Sequence, residues 1–393
     1  MARQREFGFL QRLDANLVTG VCRDLVRINT VNPPGDEKAA AEYVVNFLGR
    51  YGFEGRLLEH GDSRATALCR LRGRGDAPAV VFNGHLDVVP AGTQKWAVDP
   101  FEGTIQSSRV WGRGSADMKG GLAAMMVALK AIAEAGPPLR GDIVLTATAG
   151  EEVDMSGAKA LVVEHDLAGA QAIIIAEPTD NRIGVAERGL FWLEITTCGK
   201  TAHGSTPHLG KNAIMMMLPL LQRLDRLDIP FTRHPLLGGF TRSINTIAGG
   251  VKTNVVPDRC VATVDMRTVP GQSHAGILEQ VERLLSDAEA TDQSFRGSVR
   301  AVHDLPAVET APDHPAVRLF IDAVAGVTGQ RLTPGAVPFA TEAAVFVPAL
   351  GAPSIICGPG DPALAHQPDE YVEIDKMLDA ARIYVRAVER MLL

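Results

Sequence analysis

The sequence predicts an α/β protein in which a central, mostly parallel sheet is flanked by helices and interrupted by an inserted α+β domain. Three observations lead there. Short apolar runs such as Ala79-Val80-Val81-Phe82 and Ala172-Ile173-Ile174-Ile175-Ala176 alternate with segments of helical periodicity, and strands apolar on both faces belong to sheets covered by helices on each side. Between about residues 190 and 303 the strands alternate apolar and polar side chains instead, as strands with one wet face do. At 393 residues the chain also exceeds what one hydrophobic core serves, so more than one domain is expected.

Taken in order, residues 10–28 and 36–50 repeat apolar side chains at helical spacing, and strand-like runs follow at 56–59, 65–71 and 80–84. Next come a long helix over 119–134, a buried strand over 143–149, a short helix over 158–163 and a strand over 172–176 that ends at Glu177-Pro178. The period then changes to two over 191–197. A helix over 212–227, strands over 243–248 and 259–267, a helix over 275–287 and a strand over 298–302 complete a self-contained unit. A helix over 315–327, short strands near Val337 and Ser354, and a helix over 374–391 restore the first pattern. The expected division is 1–188 and 304–393 for a catalytic domain and 189–303 for the inserted one.

Composition narrows the function classes. A formal net charge of -7 argues against a nucleic-acid partner. The most apolar helical stretch, 121–133, is broken by Lys130 and too short to span a bilayer, so no membrane partner is expected. The start, Met1-Ala2-Arg3-Gln4-Arg5-Glu6, lacks the apolar core of a secretory signal, which points to the cytoplasm. Cys22, Cys69, Cys198, Cys260 and Cys357 show no paired spacing, so a bound metal would be held by histidine and carboxylate.

The chemistry gathers at strand ends. His85 and Asp87 close an apolar run two residues apart, a spacing that shares one strand face and lets the aspartate orient a metal-binding imidazole. Asp117 lies in the glycine-rich segment Gly112-Arg113-Gly114-Ser115-Ala116-Asp117 before a helix, where it reads equally as a helix N-cap. Glu151 and Glu152 end the next strand. Adjacent carboxylates there are costly unless a cation or a shared proton offsets their repulsion, although a solvated loop pair is the plainer alternative. Pointing to opposite faces, one can bind a metal while its neighbour handles the proton of a water. Glu177 ends a further apolar strand, and His366, alone a surface histidine, precedes the last helix. Ligands of open α/β sheets gather outside the carboxyl ends of the strands, where these groups would converge. Such an O/N set suits Zn2+, with Co2+ or Mn2+ as substitutes, and divides over two ions if Asp117 bridges.

Gly84-His85-Leu86-Asp87, Gly114-Ser115-Ala116-Asp117-Met118-Lys119-Gly120-Gly121, Gly150-Glu151-Glu152, Ala176-Glu177-Pro178-Thr179 and His366-Gln367-Pro368-Asp369-Glu370 together resemble the zinc aminoacylase and carboxypeptidase family, in the right order over nearly the whole chain. The resemblance implies that His85 and Glu177 hold one zinc, Glu152 and His366 the other, and Asp117 bridges. Asp87 would orient His85, Glu151 would be the general base, and the Asp117-Met118 peptide would be cis. Gly199-Lys200-Thr201-Ala202-His203-Gly204-Ser205 is similar to the family's lid motif, which implies that His203 stabilises the oxyanion, often across a homodimer formed through the inserted lid domain. Asn254 and Arg267 match substrate-binding segments, with a salt bridge from Arg267 to Asp265 or a neighbouring strand as the lesser alternative. The Thr341 segment, Phe339-Ala340-Thr341-Glu342-Ala343, tilts the implied substrate toward an N-acetyl amino acid such as N-acetylornithine. Desuccinylation, peptide hydrolysis, carbamoyl-amino-acid hydrolysis and a non-catalytic binding role compete with it.

Overall fold

The computed structural model describes residues 8–164 and 167–393. Residues 1–6, read above for a leader, lie outside that range. Two compact units emerge: Met1–Val185 with Glu309–Val337 and Thr341–Leu393, and Ala186–Val308 with Pro338–Ala340.

In chain order the first unit opens with α1 (Ala15–Arg27), α2 (Lys38–Gly49), β1 (Glu54–Glu59), β2 (Ala65–Leu71) and β3 (Val80–His85). It continues with β4 (Thr104–Gln106), β5 (Arg109–Trp111), α3 (Gly120–Ala135), β6 (Ile143–Thr148), α4 (Ser156–Val163) and β7 (Ala172–Pro178), and the division between the units falls within β8 (Gly184–Glu187). The second unit is built from β9 (Gly189–Cys198), α5 (Ala213–Asp225), β10 (Thr241–Gly249), β11 (Arg259–Thr268), α6 (His274–Thr291) and β12 (Gly297–Leu305). The chain ends with β13 (Val308–Glu309), α7 (Pro315–Thr328), β14 (Gly335–Val337), α8 (Ala343–Leu350), β15 (Ser354–Gly358), β16 (Tyr371–Glu373) and α9 (Ile374–Leu392).

The large sheet runs β1-β2-β6-β3-β7-β15-β8-β13, with β14 beside β8. Its centre, β6-β3-β7-β15, is parallel, while β2 and β1 join antiparallel at one margin. Register decides what the parallel strands offer: His85 stands opposite Thr148, and Pro178 opposite Gly358, so β3, β6, β7 and β15 finish together at one edge. Every residue of β3, β6 and β7 is buried, as their continuous apolar runs require.

Helix α3 explains the cover over that edge. Its alanines and unbranched Leu and Met favour helix, and it buries nearly its whole circumference against α1, α9, β3 and β7. It stops at Gly136, whose left-handed φ of 60° lets its N–H reach the Ile132 and Ala133 carbonyls. At its start, a Cβ on Gly121 would stand 2.4 Å from the Ala176 carbonyl oxygen, so only glycine lets α3 begin against the end of β7.

In the second unit the antiparallel sheet β10-β11-β9-β12 alternates buried and half-exposed residues along β9 and β11. Phe191, Leu193, Ile195, Ala262, Val264 and Met266 pack with Met217, Leu220 and Leu224 of α5 and Ile277, Val281 and Leu284 of α6. Asn212 caps α5, its side chain accepting the Ile214 and Met215 N–H groups.

Periodicity missed the shortest elements. β4, β5 and β16 form a separate sheet in the order β16-β5-β4, each only three residues long and too short to show a period. That sheet bears on function, because pairing of Tyr371 with Trp111 joins the chain just after His366 to the chain just before Asp117. Among the described residues no helix is long and apolar enough to cross a membrane.

Candidate metal centre

His85 is the last residue of β3 and is buried. Its Nδ1 lies 2.9 Å from the main-chain oxygen of Asp87, and since a carbonyl only accepts, Nδ1 carries the proton and Nε2 is left free to bind. The expectation that the Asp87 carboxylate orients the ring needs correction. β3 ends at His85, so the two side chains do not follow strand spacing, and Asp87 Oδ1 is 3.7 Å from Nδ1. The carboxylate instead accepts the N–H groups of Glu151 (3.0 Å) and Glu152 (3.1 Å) and the side-chain amide of Asn32 (2.9 Å). Asp87 therefore holds the turn that presents the two glutamates.

Asp117 is not a helix cap. The chain leaves β5 through Gly114 at φ 81°, and the 115–119 turn is wide: Lys119 N–H bonds the Gly114 carbonyl and Gly120 N–H the Ser115 carbonyl. The Asp117-Met118 peptide is cis, and α3 begins only after it. The turn aims the two carboxylate oxygens of Asp117 at different histidines. Oδ1 is 3.2 Å from His85 Nε2, and Oδ2 is 3.4 Å from His366 Nε2. Glu177 Oε1 completes one group at 3.7 Å from His85 Nε2, and Glu152 Oε1 the other at 3.1 Å from His366 Nε2. Around His85 two clusters overlap, one with Asp117 and Glu152 and one with Glu151 and Glu177.

These donor atoms fit metal ions. Bonds of about 2.0–2.2 Å to a tetrahedral zinc separate ligand atoms by about 3.3–3.6 Å, and the four contacts above bracket that spacing. Electrostatics point the same way. Burial, then the charge of Asp117, push Glu177 well above the usual carboxylate range, and burial does the same to Glu151 and raises Glu152. Burial opposes charge on His85, yet its bond to Asp117 and the charges of Glu177 and Glu151 hold it well above the ordinary histidine value. Hydrogen bonds to Asp117 and Glu152 push His366 up to about 10. Against the effect of burial, His366 and His85 hold Asp117 well below the usual range. Four carboxylates and two imidazoles thus compete for protons where doubly charged ions would offset the crowded charge.

Residues 81–390 match peptidase family M20/M25/M40. The chain belongs to that family. It is 30% identical over 396 residues to a probable succinyl-diaminopimelate desuccinylase from Staphylococcus epidermidis, covering 92% of this chain and 94% of that protein. Over 316 residues it is 33% identical to acetylornithine deacetylase from Myxococcus xanthus, with 79% of each covered. The crystal structure of an M20 metallo-carboxypeptidase from Sulfolobus solfataricus shares the fold, with a TM-score of 0.80 at 19% identity over 95% of this chain and 98% of that one. The M20 chain described here is accordingly a metal-dependent hydrolase of linear amides, the kind of enzyme that acts on small N-acyl amino acids or peptides.

The remaining expected site residues have other neighbours. In the second unit His203 is exposed, its Nδ1 2.7 Å from Ser205 Oγ, and Asn254 accepts the Gly204 N–H through its carbonyl. Arg267 uses Nε and Nη2 on the two oxygens of Asp265, at 2.9 and 3.2 Å. Thr341, expected at the substrate, is fully buried in the first unit, and its Oγ1 accepts the Ala343 N–H at the start of α8. Its neighbour Glu342 carries no sequence signal of a site. Thr148 and Asn83 donate to its carboxylate, which burial pushes up to about 7. Glu37 and Arg64 form a two-bond pair that flanks the turn carrying Glu151. No local spacing signals such partners, because they lie far apart in sequence.

Proposed function

We propose that this M20 enzyme holds two Zn2+ ions and removes the acetyl group from an N-acetyl amino acid such as N-acetylornithine. One observation carries the two-ion reading: the two oxygens of Asp117 face different histidines, each beside its own glutamate. Bound there, the ions would supply Lewis acidity toward the amide carbonyl and the attacking water, and Co2+ or Mn2+ would serve in their place.

The protein's own groups do the rest. Glu151 takes the proton of the attacking water and passes it to the leaving amine; its burial, which favours the protonated carboxyl, suits it to hold a proton between those steps. Asp87 keeps Glu151 in place through the backbone. His203 donates to the developing oxyanion, and Arg267 exchanges Asp265 for the substrate carboxylate with Asn254 nearby in sequence. A homodimer through the inserted domain belongs to the same proposal, supported by the exposed edge strand β10, as does a cytoplasmic setting.

Desuccinylation is the second reading, favoured by the relative from Staphylococcus epidermidis. A panel of N-acetyl, N-succinyl and N-carbamoyl amino acids and dipeptides, run on protein reconstituted with each metal, separates them. The expected result is the highest kcat/KM on N-acetylornithine. No turnover of N-acetyl amino acids alongside turnover of another class would sink the deacetylase reading.

A further inference from the structure

We propose that Glu370, paired with Arg113, is a positioning residue that sets the second metal position, the one formed by His366, Glu152 and Asp117. This deepens the two-ion reading and rests on it.

Glu370 is wholly buried, and its carboxylate meets four donors. Oε2 accepts Arg113 Nη1 at 2.5 Å and the Gly114 N–H at 3.1 Å; Oε1 accepts the N–H groups of Ala116 and Asp117 at 2.9 and 3.1 Å. Arg113 then bonds the Gln367 carbonyl at 3.1 Å and the Pro90 carbonyl at 3.4 Å. One ion pair therefore grips both the backbone of the bridging aspartate and the residue after the terminal histidine.

The two metal positions depend on that grip unequally. His85 and Glu177 are delivered by buried strands β3 and β7, whose ladders hold them without Glu370. His366 has no such support. It lies in a turn at a left-handed φ of 63°, with its side chain 51% exposed and its ring nitrogen directed at Glu152 and Asp117. What restrains it is its own short segment, tied down at Gln367 and Glu370 and, through Asp369 Oδ1, by the Ala97 N–H. Loss of the carboxylate would release three N–H groups of the Asp117 turn and the Arg113 fork together, while the first position keeps His85 and Glu177.

Glu370→Gln is close in shape but wrong in chemistry: its single amide oxygen serves one pair of donors, and its NH2 faces the other pair. Because it leaves Arg113 buried without its partner, the double variant Arg113→Gln with Glu370→Gln accompanies it. Chelator-stripped full-length protein is titrated with Zn2+ by calorimetry and with Co2+ by visible absorption, with near-UV circular dichroism as the check on folding. His366→Ala serves as the reference for loss of the second ion. Expected is a loss of about 10–100-fold in affinity for one of two ions, the scale for outer partners of metal ligands, with the other, which shares Asp117, weakened clearly less and its Co2+ spectrum retained. Two unchanged affinities, or equal weakening of both in folded protein, would overturn the proposal. Wild-type protein that takes up a single ion overturns the two-ion reading itself.

Discussion

The two units carry their candidate groups in opposite ways. In the first, carboxylates and imidazoles are mostly buried and converge, so that each shifts its neighbours' protonation. In the second, His203 is exposed and Arg267 half-buried, each already engaged by a neighbour two residues away, Ser205 and Asp265. Buried convergence of like charges makes a place for a cation, whereas a locally paired, accessible group can exchange its partner for a substrate atom. Under the proposed function the first unit holds ions, while His203 and Arg267 of the second exchange their partners for substrate atoms.

The sharpest way to break that contrast is Glu151→Gln. It is expected to lower kcat by about 10²–10⁴-fold while elemental analysis still finds two ions. Full activity would refute Glu151 as the base, and lost metal would make it a ligand. His203→Ala comes next, with an expected fall of about 10²–10³-fold in kcat at unchanged metal content. Unchanged turnover would leave the second unit a structural role alone. The smallest effect is expected from Arg267→Lys, which keeps the charge but loses the fork: KM rises about tenfold or more, as for one charge-assisted hydrogen bond, with kcat nearly kept. A fall in kcat with KM constant would mean that Arg267 serves its strand through Asp265 rather than the substrate.

Much of the fold was legible because long elements repeat. α3, α9 and the apolar runs of β3, β6 and β7 each spend enough residues on one environment to declare their period. The three-residue strands β4, β5 and β16 do not, and α8 hides behind Thr341 and Glu342 with Pro348 inside it. The candidate metal ligands could be picked out for a related reason: each stands at or just beyond the end of an apolar run, or in a motif quotable as a unit. Their partners were not. Nothing near Glu370 in sequence points to Arg113, and strand spacing misled on how Asp87 meets His85.

The sequence by itself determined that this chain makes a parallel sheet with carboxylates and a histidine at its strand ends, since side-chain period and residue type are local properties. Only the tertiary structure decided which oxygen faces which nitrogen and which buried charge neutralises which. Those relations join residues as far as 257 positions apart, as Arg113 and Glu370 are, and they exist only once the sheet edge, the wide turn at Asp117 and the His366 segment are brought together.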